Sequence, residues 1–212
     1  MKVLRKINKG LLLTIIVVAV LVIYLTNLEK QREADKVDIK KACEDFIALT
    51  DEYVVLPEDM RTYTGEISKE NKEKIETQLK DALKKQMVDN DKAVEIQYEY
   101  LVDKLQNGYE TENVVKTENK SIITKISSYE FDGNQVTVTL RTSTETTYKY
   151  KDGFTGEEKE RKDTNTNSGD EIVLQKVDGK WKIVYSYLLF DVGNNYYDTY
   201  DSDSLEINTL AR

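Results

Sequence analysis

The sequence predicts an α+β protein: an N-terminal transmembrane helix, then about three helices, then about four antiparallel strands, in that order. Three observations carry this reading. An unbroken apolar block runs from Leu11 to Leu25. Apolar residues then recur at three-and-four spacing as far as Leu105. From Asn113 onward β-branched residues alternate with polar ones, punctuated by Asp-Gly pairs.

The apolar block comprises Leu11, Leu12, Leu13, Ile15, Ile16, Val17, Val18, Val20, Leu21, Val22, Ile23 and Leu25, with Thr14, Ala19 and Tyr24 between them. Fifteen helical residues cover only ~22 Å, but Gly10, Thr26, Asn27 and Leu28 extend the span to about 19, enough for a hydrocarbon core of ~30 Å. The basic residues Lys2, Arg5, Lys6 and Lys9 precede it without an acidic neighbour, which predicts that residues 1–10 stay on the cytoplasmic side of the cell membrane and that the chain after the single pass lies outside it. A cleaved signal peptide would need small residues at the exit. Val22 to Leu28 offers no Ala-x-Ala pattern, so the block is expected to remain as an anchor over residues 11–28.

Beyond the anchor, composition restricts the chemistry. Histidine is absent, which removes Ser-His and Cys-His nucleophile pairs and the commonest zinc ligand. The one cysteine, Cys43, has no disulfide partner and falls on an apolar helical stripe, where a thiol behaves as a small hydrophobe. The chain carries a formal charge of -8, and setting aside the four basic residues before the span leaves 27 basic against 39 acidic, or -12. Such a surface repels phosphate backbones, so nucleic acid is excluded as a partner and other envelope proteins are expected, with homo-oligomerisation left open. No cofactor, metal or catalytic motif is read.

The first helix after the anchor is predicted to continue from it. Ile39, Ala42, Cys43, Phe46, Ile47, Leu49, Tyr53 and Leu56 form its buried stripe, with Phe46 a core residue, and the helix ends before Pro57, the only proline. Ser68 is expected to cap a second helix through about Val88, with Ile75, Leu79, Ala82, Leu83 and Met87 buried. Asp91 is expected to cap a third. Residues 92–106 fit either period: Val94, Ile96, Tyr98 and Tyr100 alternate like a strand, whereas Val94, Tyr98, Leu101, Val102 and Leu105 suit a helix, which is the reading preferred.

The strands are expected at Ser121–Phe131 and Gln135–Lys151, joined at Asp132, Gly133 and Asn134, and at Ile172–Val177 and Trp181–Leu189, joined at Asp178 and Gly179. Trp181 is read as core. The polar stretch Asp152–Asp170 is expected to be a long hairpin tip. The extracytoplasmic domain is bounded at residues 29–190, and residues 191–212 form an acidic, Tyr-rich tail. There Tyr196, Tyr197 and Tyr200, set among Asp198, Asp201 and Asp203, are candidate partner contacts; the spacing lacks the Gly and terminal Glu of an EF-hand loop.

Helices followed by antiparallel strands, closing on the hairpin Leu174-Gln175-Lys176-Val177-Asp178-Gly179-Lys180-Trp181-Lys182-Ile183-Val184, resemble the NTF2-like (cystatin-like) superfamily. The resemblance implies a cone of about three helices packed on a curved antiparallel sheet of about four strands. With a single N-terminal anchor, the layout is similar to scaffold subunits of conjugation and type IV secretion systems and to anchored Gram-positive proteins of the same fold. It implies a non-enzymatic interaction or assembly module. The alternative is a ligand-binding or enzymatic cone interior, where Tyr53, Tyr98, Tyr100, Tyr185 and Tyr187 would meet Asp45 or Glu99.

Overall fold

The computed structural model describes residues 9–64, 67–107 and 113–188. It is α+β, with one long apolar N-terminal helix, two shorter helices and an open four-stranded antiparallel sheet. The chain divides into two compact units, Met1–Lys40 and Lys41–Arg212.

The first unit contains most of helix α1 (Lys9–Tyr53). Its N-terminal part is long and apolar enough to cross a membrane, and none of that stretch is buried against protein. The two hydroxyls in the stretch are turned back onto the helix: Thr14 Oγ1 donates to the Gly10 carbonyl (3.0 Å) and Thr26 Oγ1 to that of Val22 (2.8 Å). This local bonding lets threonine sit in an apolar segment without presenting an unsatisfied hydroxyl.

In the second unit, α1 buries Cys43, Phe46, Ile47 and Leu49. Burial pushes the Cys43 thiol up to about 12, with the Glu44 carboxylate adding to the effect. Helix α2 (Lys69–Gln86) starts at Ser68, whose hydroxyl accepts from the Asn71 amide (3.3 Å), and buries Ile75, Leu79 and Leu83. Residues 91–107 are helical, as the second periodicity predicts, forming α3 (Asp91–Asn107). Its cap is Asn90 rather than Asp91. The Ala93 amide donates to Asn90 Oδ1 (3.1 Å), and Asp91 stands in the first turn, where its charge meets the positive end of the helix dipole. Leu56, Met60, Ile75, Leu105 and Val115 close one buried cluster, with Tyr63 and Ile67 packed against it.

Strands β1 (Val114–Asp132), β2 (Gln135–Lys151), β3 (Glu158–Val177) and β4 (Lys180–Tyr187) pair in sequence order, all antiparallel. Both tight turns fall where expected: Gly133 has φ +58°, and Asp178 and Gly179 have φ +50° and +78°, the paired positive angles of a type I′ hairpin.

Three expectations change. β1 begins at Val114 rather than Ser121. The stretch Asp152–Asp170 is not one long tip, since only residues 152–157 turn and β3 pairs with β2 from Glu158 onward, opposite Lys151. This ribbon is polar on both faces, so it lacks the alternation by which strands are recognised. Cross-strand ion pairs, Lys149 with Glu158 (3.0 Å) and Lys162 with Glu145 (3.1 Å), accompany the ladder. Finally, Phe46 is fully buried, but Trp181 is only partly so. It is the second residue of an edge strand, where its ring packs edge-to-face with Phe131, centroids 6.3 Å apart, and Lys176 lies over it at 5.6 Å.

Candidate functional site

Polar side chains interrupt the apolar rows of the second unit at three places, Asp51, Gln97 and Asp170, and each has a hydrogen-bond partner on another element or strand. On α1, Asp51 continues the row Cys43–Ile47. Its Oδ1 accepts from Asn119 Nδ2 (2.6 Å) and Ser121 Oγ (2.7 Å), and its Oδ2 from the Ser121 amide (2.6 Å). Burial raises its pKa, opposed by the bonds from Ser121 and Asn119 and by the charge of Lys116. On α3, Gln97 continues the row Ala93–Leu101–Leu105 and is fully buried; its Oε1 accepts from the Ser186 amide of β4 (3.0 Å). On β3, Asp170 begins the row Ile172–Leu174 and is likewise fully buried, accepting from the Thr142 hydroxyl.

Asp170 owes its position to a bulge. β2 pairs Leu140 with Asp170 and Arg141 with Ser168, so Gly169 is the extra residue, at φ +102°. Tyr100 is buried close by. It donates to the Leu188 carbonyl, and its ring centroid lies 6.3 Å from that of Tyr187. Its pKa stands well above the usual tyrosine value, first through burial and then through Tyr185, Tyr187 and Asp170. The structure therefore brings Tyr100, Tyr185 and Tyr187 together, and the acid whose charge reaches Tyr100 is Asp170 rather than Asp45 or Glu99.

The remaining tyrosines of the expected interior set lie elsewhere. The Tyr98 ring lies under Lys80 Nζ at 4.3 Å, on the ion-pair cluster Glu76–Lys80–Glu95. Tyr53 donates to the Gln78 carbonyl (3.2 Å) and, with Asp45, lines a groove of about 620 Å³ among α1, α2 and β4. Its lining combines the small Ala42, Ala48 and Ala82 with apolar Leu49 and Ile183, Lys85 from α2, and Lys180, Trp181 and Lys182 from β4.

The chain matches no family model, no curated protein and no solved structure. Among the described residues no three His, Cys, Asp or Glu side chains are grouped to hold a metal ion. Lys2, Arg5, Lys6, Tyr196, Tyr197 and Tyr200 lie outside the described residues, as do the side chains of Lys9 and Leu11.

Sequence reasoning passed over Asp51, Gln97 and Asp170. A signal for all three was present: each is a polar residue standing in an apolar row at its element's own period, the pattern of a buried group that must have a partner.

Proposed function

We propose that this chain is a single-pass, membrane-anchored interaction module whose folded unit works on the outer side of the cell membrane, tethering partner proteins of the envelope, as in a conjugation, secretion or cell-envelope assembly. One observation carries the reading. The large apolar side chains from Leu12 to Leu25 on α1 are between 49% and 64% exposed, a surface that water disfavours and lipid accepts. The basic flank before them supports an inside N-terminus. Anchoring concentrates the folded unit against partners in the same membrane, so weak contacts become productive. Within this reading, the element order and the closing hairpin support an NTF2-like cone.

The test is fractionation of cells expressing the full chain. Resistance to carbonate extraction, together with digestion of the folded unit by protease added from outside, is expected. Release by carbonate, or an N-terminus found beyond Leu28 in the mature protein, would overturn the anchor.

The grouping of Tyr100 with Tyr185 and Tyr187, within reach of the Asp170 charge, favours a second reading, a ligand-binding or enzymatic interior. It requires a small molecule whose thermal stabilisation of the protein is abolished by Asp170→Asn.

A further inference from the structure

The groove beside Trp181 combines features that select a particular occupant. Its volume, about 620 Å³, is that of sites that take a small molecule or a few peptide side chains. Its walls are held in place: Gln86 Nε2 donates to the Asp45 carbonyl (3.4 Å), and Lys182 Nζ to the Lys85 carbonyl (2.7 Å). Alanine side chains at 42, 48 and 82, with Leu49 and Ile183, give the lining the small and apolar surface that suits a flat ring. Trp181 Nε1 is shielded from solvent and has no acceptor among the described residues.

Charge narrows the choice. Lys85, Lys180 and Lys182 line the groove against Asp45 and Glu52, and Asp45 is already paired with Lys41 (3.0 Å). None of the three lysines has a carboxylate partner within ion-pair distance among the described residues, on a chain whose net charge is -8. The fitting ligand is a short segment that carries aromatic side chains flanked by carboxylates.

This chain carries such a segment. After Leu188, 24 residues remain, and residues 194–204 read Asn-Asn-Tyr-Tyr-Asp-Thr-Tyr-Asp-Ser-Asp-Ser. Reach permits an intramolecular contact. β4 runs back from Tyr187 to Trp181, about 20 Å at ~3.3 Å per residue, and the chain between Leu188 and Tyr196 can span slightly more than that. We propose that the Trp181 groove is the docking site for the chain's own Tyr196–Asp203 segment, Tyr rings against the alanines and Asp carboxylates against Lys85, Lys180 and Lys182. In this arrangement the tail competes with any partner that uses the same face. The proposal goes beyond the anchoring reading and does not depend on it.

Trp181 is the only tryptophan, so it reports its own groove. The experiment is Trp emission and acrylamide quenching of the full chain in detergent. The triple substitution Tyr196→Ser, Tyr197→Ser, Tyr200→Ser is expected to shift the emission to the red and to raise quenching severalfold. Lys180→Glu with Lys182→Glu should do the same, and adding Asp198→Lys with Asp201→Lys should restore the original spectrum. Restoration also answers any loss of folding in the Lys variant. Lys120→Glu, on β1, should leave the spectrum unchanged. Spectra indifferent to the Tyr substitutions, or a charge reversal that fails to rescue, would overturn the proposal. Quenching that depends on protein concentration would overturn the intramolecular assignment in favour of a second copy. Carbonate extraction of the same variants reads the anchor separately, so the two readings fail distinguishably.

Discussion

Asp51 and Ser121 are joined twice, the backbone amide of Ser121 donating to Oδ2 at 2.6 Å and its hydroxyl to Oδ1 at 2.7 Å. Because β1 is an edge strand, that amide has no neighbouring strand to bind, and a helix-borne carboxylate takes the strand's place. Gln97 does the same for Ser186 on β4, at the opposite edge. Arg61 adds to the first edge, with one guanidinium nitrogen on the Thr117 carbonyl (3.1 Å).

Asp51→Ala leaves the Ser121 amide and the Asn119 side chain without their acceptor, and a buried donor stripped of a charged partner costs about 1–3 kcal/mol. Urea unfolding is expected to show a loss in that range. The wild-type carboxyl has a raised pKa, so the folded state binds its proton more tightly than the unfolded chain does. Asp51 therefore contributes a stability that falls as pH rises from the unfolded value near 3.8 through the folded one, and Asp51→Asn should remove that component of the pH dependence.

Gln97→Leu keeps the helix and removes the acceptor for β4. Amide exchange at Ser186 should accelerate markedly while amides in the middle of β2 stay protected, as measured by hydrogen exchange. Equal protection at Ser186 in both proteins would show that the glutamine is dispensable to the edge.

Gly169→Ala isolates a backbone effect. A Cβ there meets no atom within 4 Å, so the cost comes from φ +102° alone, about 1–3 kcal/mol for an ordinary residue held in such a region. A melting temperature unchanged by the substitution would mean that the bulge relaxes.

Cys43 should resist alkylation at pH 8 in the folded protein and react promptly in denaturant, because burial keeps its proton on to about 12. The sign of the linkage follows. An unfolded chain loses the thiol proton near 9 and the folded one does not, so stability falls as pH climbs between the two values. Cys43→Ala should flatten that alkaline slope.

Much of the architecture was legible because period and burial coincide. The stripe Cys43–Phe46–Ile47, the Ser68 cap and the Asp178–Gly179 turn each state their geometry locally. Glu158 to Asn165 escaped because a two-sided polar strand resembles a loop; its pairing is set by β2, far away in sequence. Trp181 was read as core because it opens the strand that closes the sheet, whereas that strand's edge position depends on strand order. Asp170 was hidden by distance too, since what makes it interior is the bulge at Gly169 and the Thr142 hydroxyl across the ladder.

Every strand of the sheet pairs with its sequence neighbour, and two of the three connections are tight turns. Such a topology has little long loop closure to accomplish before native pairs form, so the sheet can zip outward from Gly133 and Gly179. A chain of this design acquires its strands late in sequence yet quickly in time, and the interval in which a half-formed edge lies open to other chains is correspondingly short.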